Sequence, residues 1–277
     1  MSSTADDSKH SAVISSGIKI ESGIQMLARL TRKPGIDKFY ASLFGNGPKH
    51  GDFIEFNSEG NTIYLLTELI CEALMLQKLN GPEAGILIFS TDGNFNFGAI
   101  INVLRNKIIK FINNASIYNT NDIDALLKSS LKNLYILEIF DSTQFHITIQ
   151  NMENLLSKHP NISLVVFHTL TAFYWSEQDF KITKMDSYLR KLLSVIQKII
   201  KDHKIVVMYS KPESFSKSKE KTDSLKPCCQ NTTEVQIKYR IQVVLNESGS
   251  NFINVRNNDN CFQKEFNLIN EEIVWLQ

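Results

Sequence analysis

Three short polar runs follow apolar runs in this chain, and their residue types decide what chemistry the protein can attempt. The first is Asn57, Ser58, Glu59, Gly60, Asn61 and Thr62, behind Phe53-Ile-Glu-Phe56. A phosphate-binding turn of the G-x-x-x-x-G-K-[ST] type needs glycines so that backbone N–H groups can wrap phosphate. It also needs a lysine to neutralise the outer phosphate and a hydroxyl to hold magnesium. Here the turn has one glycine, no lysine and too few residues; Glu59 adds negative charge, and only Thr62 matches the magnesium-holding hydroxyl. Its other reading is an ordinary strand–helix turn. The second run is Ser90-Thr91-Asp92, where the Asp92 carboxylate could orient a water molecule. The third begins at His168, behind Leu164-Val-Val-Phe167, where a magnesium-positioning aspartate is expected. An imidazole does not replace that charge, and with no second histidine placed near it, a hydrogen-bonded histidine at a strand end is preferred to a metal ligand.

The elements that must position these runs alternate along the chain. Strands are expected at 51–56, 85–89, 134–140, 163–167 and 205–209, as apolar runs of the kind buried on both faces of a parallel sheet. Between them, amphipathic helices are expected at 63–79, 97–112, from Asp141 to His159, and 185–201. This rhythm implies an α/β fold with right-handed crossovers and a mostly parallel, doubly wound sheet. The segments 235–245, 251–255 and 266–275 are joined by short polar turns and predict antiparallel strands extending one edge. An earlier helix, Glu21 to Leu30, is expected, with Ile24, Leu27, Ala28 and Leu30 on one side, before Pro34-Gly35 stops it. Residues 1–15 are expected to form a disordered lead-in and 16–277 a single core domain. Within it, 211–233 is rich in Ser, Lys and Thr and predicts a flexible loop that cannot offset its ordering cost by burial.

Composition narrows the function. A formal net charge of +1 over 277 residues argues against a polybasic whole-chain nucleic-acid binder but not against a basic loop. The four cysteines, Cys71, Cys228, Cys229 and Cys261, form no CxxC pair, so zinc is not expected and reduced thiols are. Met1 to His10 is polar, without the apolar core of a signal peptide, and no stretch reaches the ~20 apolar residues needed to span a bilayer. Neither secretion nor a membrane partner is expected.

Four blocks resemble the RecA-type recombinase paralogues, in the short form without an N-terminal helical domain. They are Glu21-Ser-Gly-Ile-Gln-Met-Leu-Ala-Arg-Leu30, His50-Gly-Asp-Phe-Ile-Glu-Phe56, Thr91-Asp92 and Leu170-Thr-Ala-Phe-Tyr-Trp175. Their order and spacing hold across about residues 20 to 210, whereas the tail from Val235 is similar only in its strand pattern. The resemblance implies a RecA-like core and a nuclear role in homologous recombination repair of DNA double-strand breaks. It also implies hetero-oligomeric assembly with other paralogues, and a family pattern of DNA-dependent ATPase activity. This chain departs from that pattern at the shortened 58–62 turn, at His168, and near Lys211-Pro212, where the family's phosphate-sensing glutamine is missing. In recombinases, loops at the positions of 211–233 and 176–184 face DNA. That correspondence makes Lys217, Lys219, Lys221 and Lys226 candidate phosphate contacts, and Lys181 and Lys184, beside Phe180, candidates on single-stranded or branched DNA. Glu213, Glu220 and Asp223 partly cancel the first group, and both segments also read as solvated surface. Phe173-Tyr174-Trp175 reads as core or partner-facing.

The expectation is therefore a non-catalytic subunit that binds neighbouring paralogues, with no cofactor. The alternative is a weak ATP-dependent, DNA-binding ATPase, in which Gly60, Thr62 and Asp92 hold ATP and magnesium with a lysine reaching in from a neighbour.

Overall fold

The computed structural model describes residues 22–36, 39–58, 62–91, 93, 95–115, 122–178, 184–212, 235–245, 251–257, 260–269 and 272–276. The expected lead-in and all but the first two residues of the expected 211–233 loop lie outside them.

Nine strands form one sheet in the order β3-β2-β4-β5-β1-β6-β7-β8-β9. They are β1 (Phe53–Ser58), β2 (Gly85–Ser90), β3 (Leu134–Glu138), β4 (Ile162–Phe167), β5 (Val206–Pro212), β6 (Ile237–Val244), β7 (Asn251–Asn257), β8 (Cys261–Ile269) and β9 (Glu272–Trp275). Strands β1 to β6 run parallel to their neighbours, and β6 to β9 form an antiparallel meander. The expected mostly parallel sheet with antiparallel C-terminal strands is therefore observed. One detail differs: β6 joins the sheet parallel to β1, and the antiparallel pairing begins only at β7.

The strands' period of two sends neighbouring residues to opposite cores. Ile54, Ile86, Ile88, Val166 and Met208 face a core closed by α3 (Thr62–Leu74), α4 (Phe97–Ala115) and α5 (Ile123–Leu131). Phe53, Leu87, Phe89, Val165 and Tyr209 face a second core closed by α6 (Ser142–Gln150), α7 (Met152–Lys158) and α8 (Met185–His203). The central strands β2 and β4 are buried along their whole length. At Gly85 an added Cβ would stand 2.8 Å from the Asn161 backbone, so β2 can approach β4 there only without a side chain.

Several expectations are corrected. β3 is an edge strand of intermediate burial, not a buried one. The helix expected from Asp141 to His159 breaks at Asn151 into α6 and α7, and α5 follows a stretch that gave no helical reading. The tail's last expected strand is two, β8 and β9. The first helix, α1 (Gly23–Leu30), is held by a capping box between Ser22 and Gln25, yet buries only Ala28. Ile24, Leu27 and Leu30 stay exposed, Leu27 to 61%, because α1 rests on α8 through a narrow strip.

Polar contacts fasten α3 to α4 and both to the meander. Lys107 Nζ donates to Glu68 Oε1 (2.7 Å) and Glu72 Oε2 (2.9 Å). Tyr40, ahead of α2 (Ala41–Phe44), donates to Glu68 (3.1 Å) and accepts from Trp275 Nε1 (2.8 Å). Glu272 accepts from Asn106 Nδ2 at 2.6 Å and pairs with Lys110. Burial alone would depress Lys107, but Glu68 and Glu72 outweigh it and hold the ammonium above its ordinary pKa.

Candidate functional site

Because β1 to β6 are parallel, their C-terminal ends share one edge of the sheet, where a doubly wound fold binds its ligand. Thr62 and His168 both lie on that edge. β1 was expected to stop at Phe56 but continues to Ser58, paired with Lys211 and Pro212 of β5 and with Gln242 of β6. Asn57 and Ser58 are therefore strand residues, and only three positions separate Ser58 from Thr62, the first residue of α3. Thr62 is 4% exposed, and its hydroxyl makes no hydrogen bond among the described residues. Glu59, Gly60, Asn61 and Asp92 lie outside the described residues.

The end of β4 is packed and hydrogen-bonded. The His168 N–H donates to the Phe89 carbonyl at 3.0 Å, and the His168 carbonyl accepts from the Ser210 hydroxyl. The Thr91 hydroxyl donates to the Thr169 carbonyl at 2.7 Å. The Phe95 ring stands edge-on to the imidazole, with centroids 5.7 Å apart. Around the position where an aspartate would grip magnesium, the described neighbours thus include an aromatic ring and carbonyls already engaged by hydroxyls. Among the described residues no group of three His, Cys, Asp or Glu side chains is placed to hold a metal.

One buried carboxylate at this edge escaped the sequence reading. Glu55, 2% exposed on β1, accepts from the Tyr209 hydroxyl at 2.6 Å. It also pairs with Lys211 Nζ at 3.2 Å and Arg240 Nε at 3.3 Å. Burial and then the Glu55 charge push the Tyr209 phenol far above its ordinary pKa, so it stays a donor. Lys211, in the place of the missing glutamine, is therefore committed to Glu55 from within β5. The available signal was a single acid inside the apolar run Phe53-Ile-Glu-Phe56; a charge there must be paired to be buried.

The candidate nucleic-acid residues are mostly untouched by the structure: Lys181, Lys217, Lys219, Lys221 and Lys226 lie outside the described residues. Lys184 is exposed at the start of α8 and makes no capping contact through its side chain. Of the aromatic trio, Tyr174 is buried against Tyr188, Phe173 is partly buried against Phe145, and Trp175 is 62% exposed. No helix among the described residues is long and apolar enough to cross a membrane.

No family model matches the chain. It is similar to the mouse DNA repair protein XRCC2, with 22% identity over 221 residues, 76% of each chain. The resemblance read from the four sequence blocks is thereby shown, and the α/β architecture is RecA-like.

Proposed function

We propose that this chain is a non-catalytic recombinase-paralogue subunit. It acts in the nucleus, in repair of DNA double-strand breaks by homologous recombination, by assembling with other RecA-type paralogues. Its likeness to a DNA repair protein supports the repair role. The observation that carries the non-catalytic reading is the strand-end site. β1 runs on through Asn57 and Ser58, the first two residues of the turn that would cradle phosphate, and His168 packs on Phe95 where a carboxylate is expected. A core kept to this degree beside an altered site fits a protein that offers surfaces, while a partner supplies nucleotide chemistry. Co-purification of the chain with RecA-type paralogues tests this: a stable, stoichiometric complex is expected. A chain that stays monomeric with every paralogue overturns it.

One observation favours the second reading, residual ATP binding with magnesium. The Thr62 hydroxyl, without a partner among the described residues, heads a helix of 13 residues, and helix N-termini attract anions. Direct contact with single-stranded or branched DNA through Lys184 and the lysines at 181, 217, 219, 221 and 226 is a further part of the proposal. It predicts binding that weakens steeply with salt.

A further inference from the structure

The two longest helices among the described residues, α4 and α8, have 19 residues each and lie on opposite faces of the sheet, yet they treat their cations differently. Every cation of α4 is paired: Arg105 with Asp124 at 2.9 Å, Lys107 with Glu68 and Glu72, and Lys110 with Glu272. On α8, Lys191, Lys198 and Lys201 are exposed, as is Lys184 at its N-cap, and the side chains of these four form no ion pair among the described residues.

The helical repeat gathers them. A step of seven residues returns to within about 20° of the same line on a helix. Lys184, Lys191 and Lys198 therefore form one row, and Ser187, Ser194 and Lys201, three positions on, form the row beside it. At about 1.5 Å per residue the first row is about 21 Å long. The opposite side of α8 buries Leu189, Leu193, Ile196 and Ile200 in the second core, which fixes the helix beneath these rows. Over 184–204 lysine and arginine outnumber aspartate and glutamate six to two, in a chain whose formal net charge is +1. Of the two acids, Asp202 stands at the far end of the first row, and Asp186 lies about 160° round the helix from Lys184.

We propose that this face of α8 docks on the phosphate backbone of duplex DNA. The surface is separate from the strand-end site and shares only Lys184 with the loop lysines of the proposed function. A row of about 21 Å spans the axial rise of about six phosphates on one strand, so each lysine meets a phosphate of its own. The serines of the second row add hydroxyl donors to phosphate oxygens. Neither row holds an aromatic side chain, so the bases of a single strand have nothing to stack on. An acidic protein partner would need an apolar anchor, and Val195 is the one large apolar side chain that α8 exposes. A membrane surface would need the apolar stripe that α8 already buries. Phosphate contacts carry no base information, so binding here is indifferent to sequence and weakens steeply with salt.

The test uses the full chain and a fluorescein-labelled duplex of about 20 base pairs, read by anisotropy between about 50 and 200 mM salt. Saturable binding is expected, its logarithm falling against the logarithm of salt with a slope of about −3.6 for four lysines. Lys191→Gln, Lys198→Gln and Lys201→Gln together should weaken it at least about tenfold at the lower salt and flatten the slope by about three. Arginine at the same three positions should bind as the native chain does. All three side chains are exposed, and circular dichroism checks that both variants fold. Absence of saturable duplex binding, indifference to the glutamine substitutions, loss of binding with arginine, equal displacement by polyglutamate, or binding of phosphatidylserine vesicles in place of the duplex overturns the proposal. Duplex binding that depends on the lysines at 217, 219 and 221 and not on those of α8 also overturns it, and leaves the loop contact of the proposed function standing.

Discussion

Helix α3 begins at the strand-end site and runs into the clamp that fastens the C-terminal meander, and these two regions differ in how their polar groups are used. In the clamp, Glu68 and Glu72 share Lys107, and Tyr40 links Glu68 to Trp275. At the helix start, Thr62 is as deeply buried, yet its hydroxyl has no partner among the described residues. Among the described residues, the clamp's ion pairs join α3 to α4 and α4 to the meander. The place where a nucleotide hydrolase invests its charges is instead packed with an aromatic ring and hydroxyl-bonded carbonyls.

Breaking the clamp should have the largest effect. Lys107→Met strands Glu68 and Glu72 without their cation and is expected to cost about 3 kcal/mol in denaturant unfolding. A change near zero would mean that these pairs do not hold α4 to α3. Glu55→Gln comes next: it weakens contacts to Tyr209, Lys211 and Arg240 together, with an expected loss of about 2 kcal/mol by the same measurement.

A third comparison concerns the opposite edge of the sheet. His203 is buried, its Nε2 has no hydrogen-bond partner among the described residues, and Lys33 donates to the Ile162 carbonyl at 2.6 Å. Burial, followed by the neighbouring Lys33 charge, depresses the His203 pKa, against weaker opposing pulls from Glu153 and Asp202. Burial and Lys204 lower Lys33 to about 8. For His203 the unfolded chain binds the proton first. Its contribution to stability is therefore complete above the ordinary value of about 6.5 and is lost as pH falls below it. The urea midpoint should drop between mildly alkaline and mildly acidic buffer more steeply in the native chain than in His203→Leu. Parallel slopes would show that this histidine does not carry the acid sensitivity. Smallest of all should be Thr62→Val, within about 0.5 kcal/mol of the native chain in either direction, since a hydroxyl with no partner among the described residues is exchanged for a methyl of similar shape.

Much of the architecture was legible because the strands that build the centre are continuous apolar runs. Gly85 to Ser90 and Ile162 to Phe167 are buried throughout, as such runs require. The edge was less legible: Leu134 to Glu138 carries the same apolar signature but has a neighbour on one side only, which periodicity does not report. Helix α1 shows the converse failure, since an amphipathic stripe states what can be buried and not whether a surface is present to bury it. At the strand-end site, His168 and the missing lysine could be read directly from residue types. The extension of β1 through Asn57 and Ser58 could not, because it depends on pairing with β5 and β6, distant in sequence.

The central claim is that this chain kept a RecA-like core for its surfaces and not for nucleotide chemistry. Isothermal titration of the purified chain with ATP and magnesium tests it most directly. The account predicts no saturable heat even at millimolar nucleotide; micromolar affinity that disappears in Thr62→Ala would contradict it.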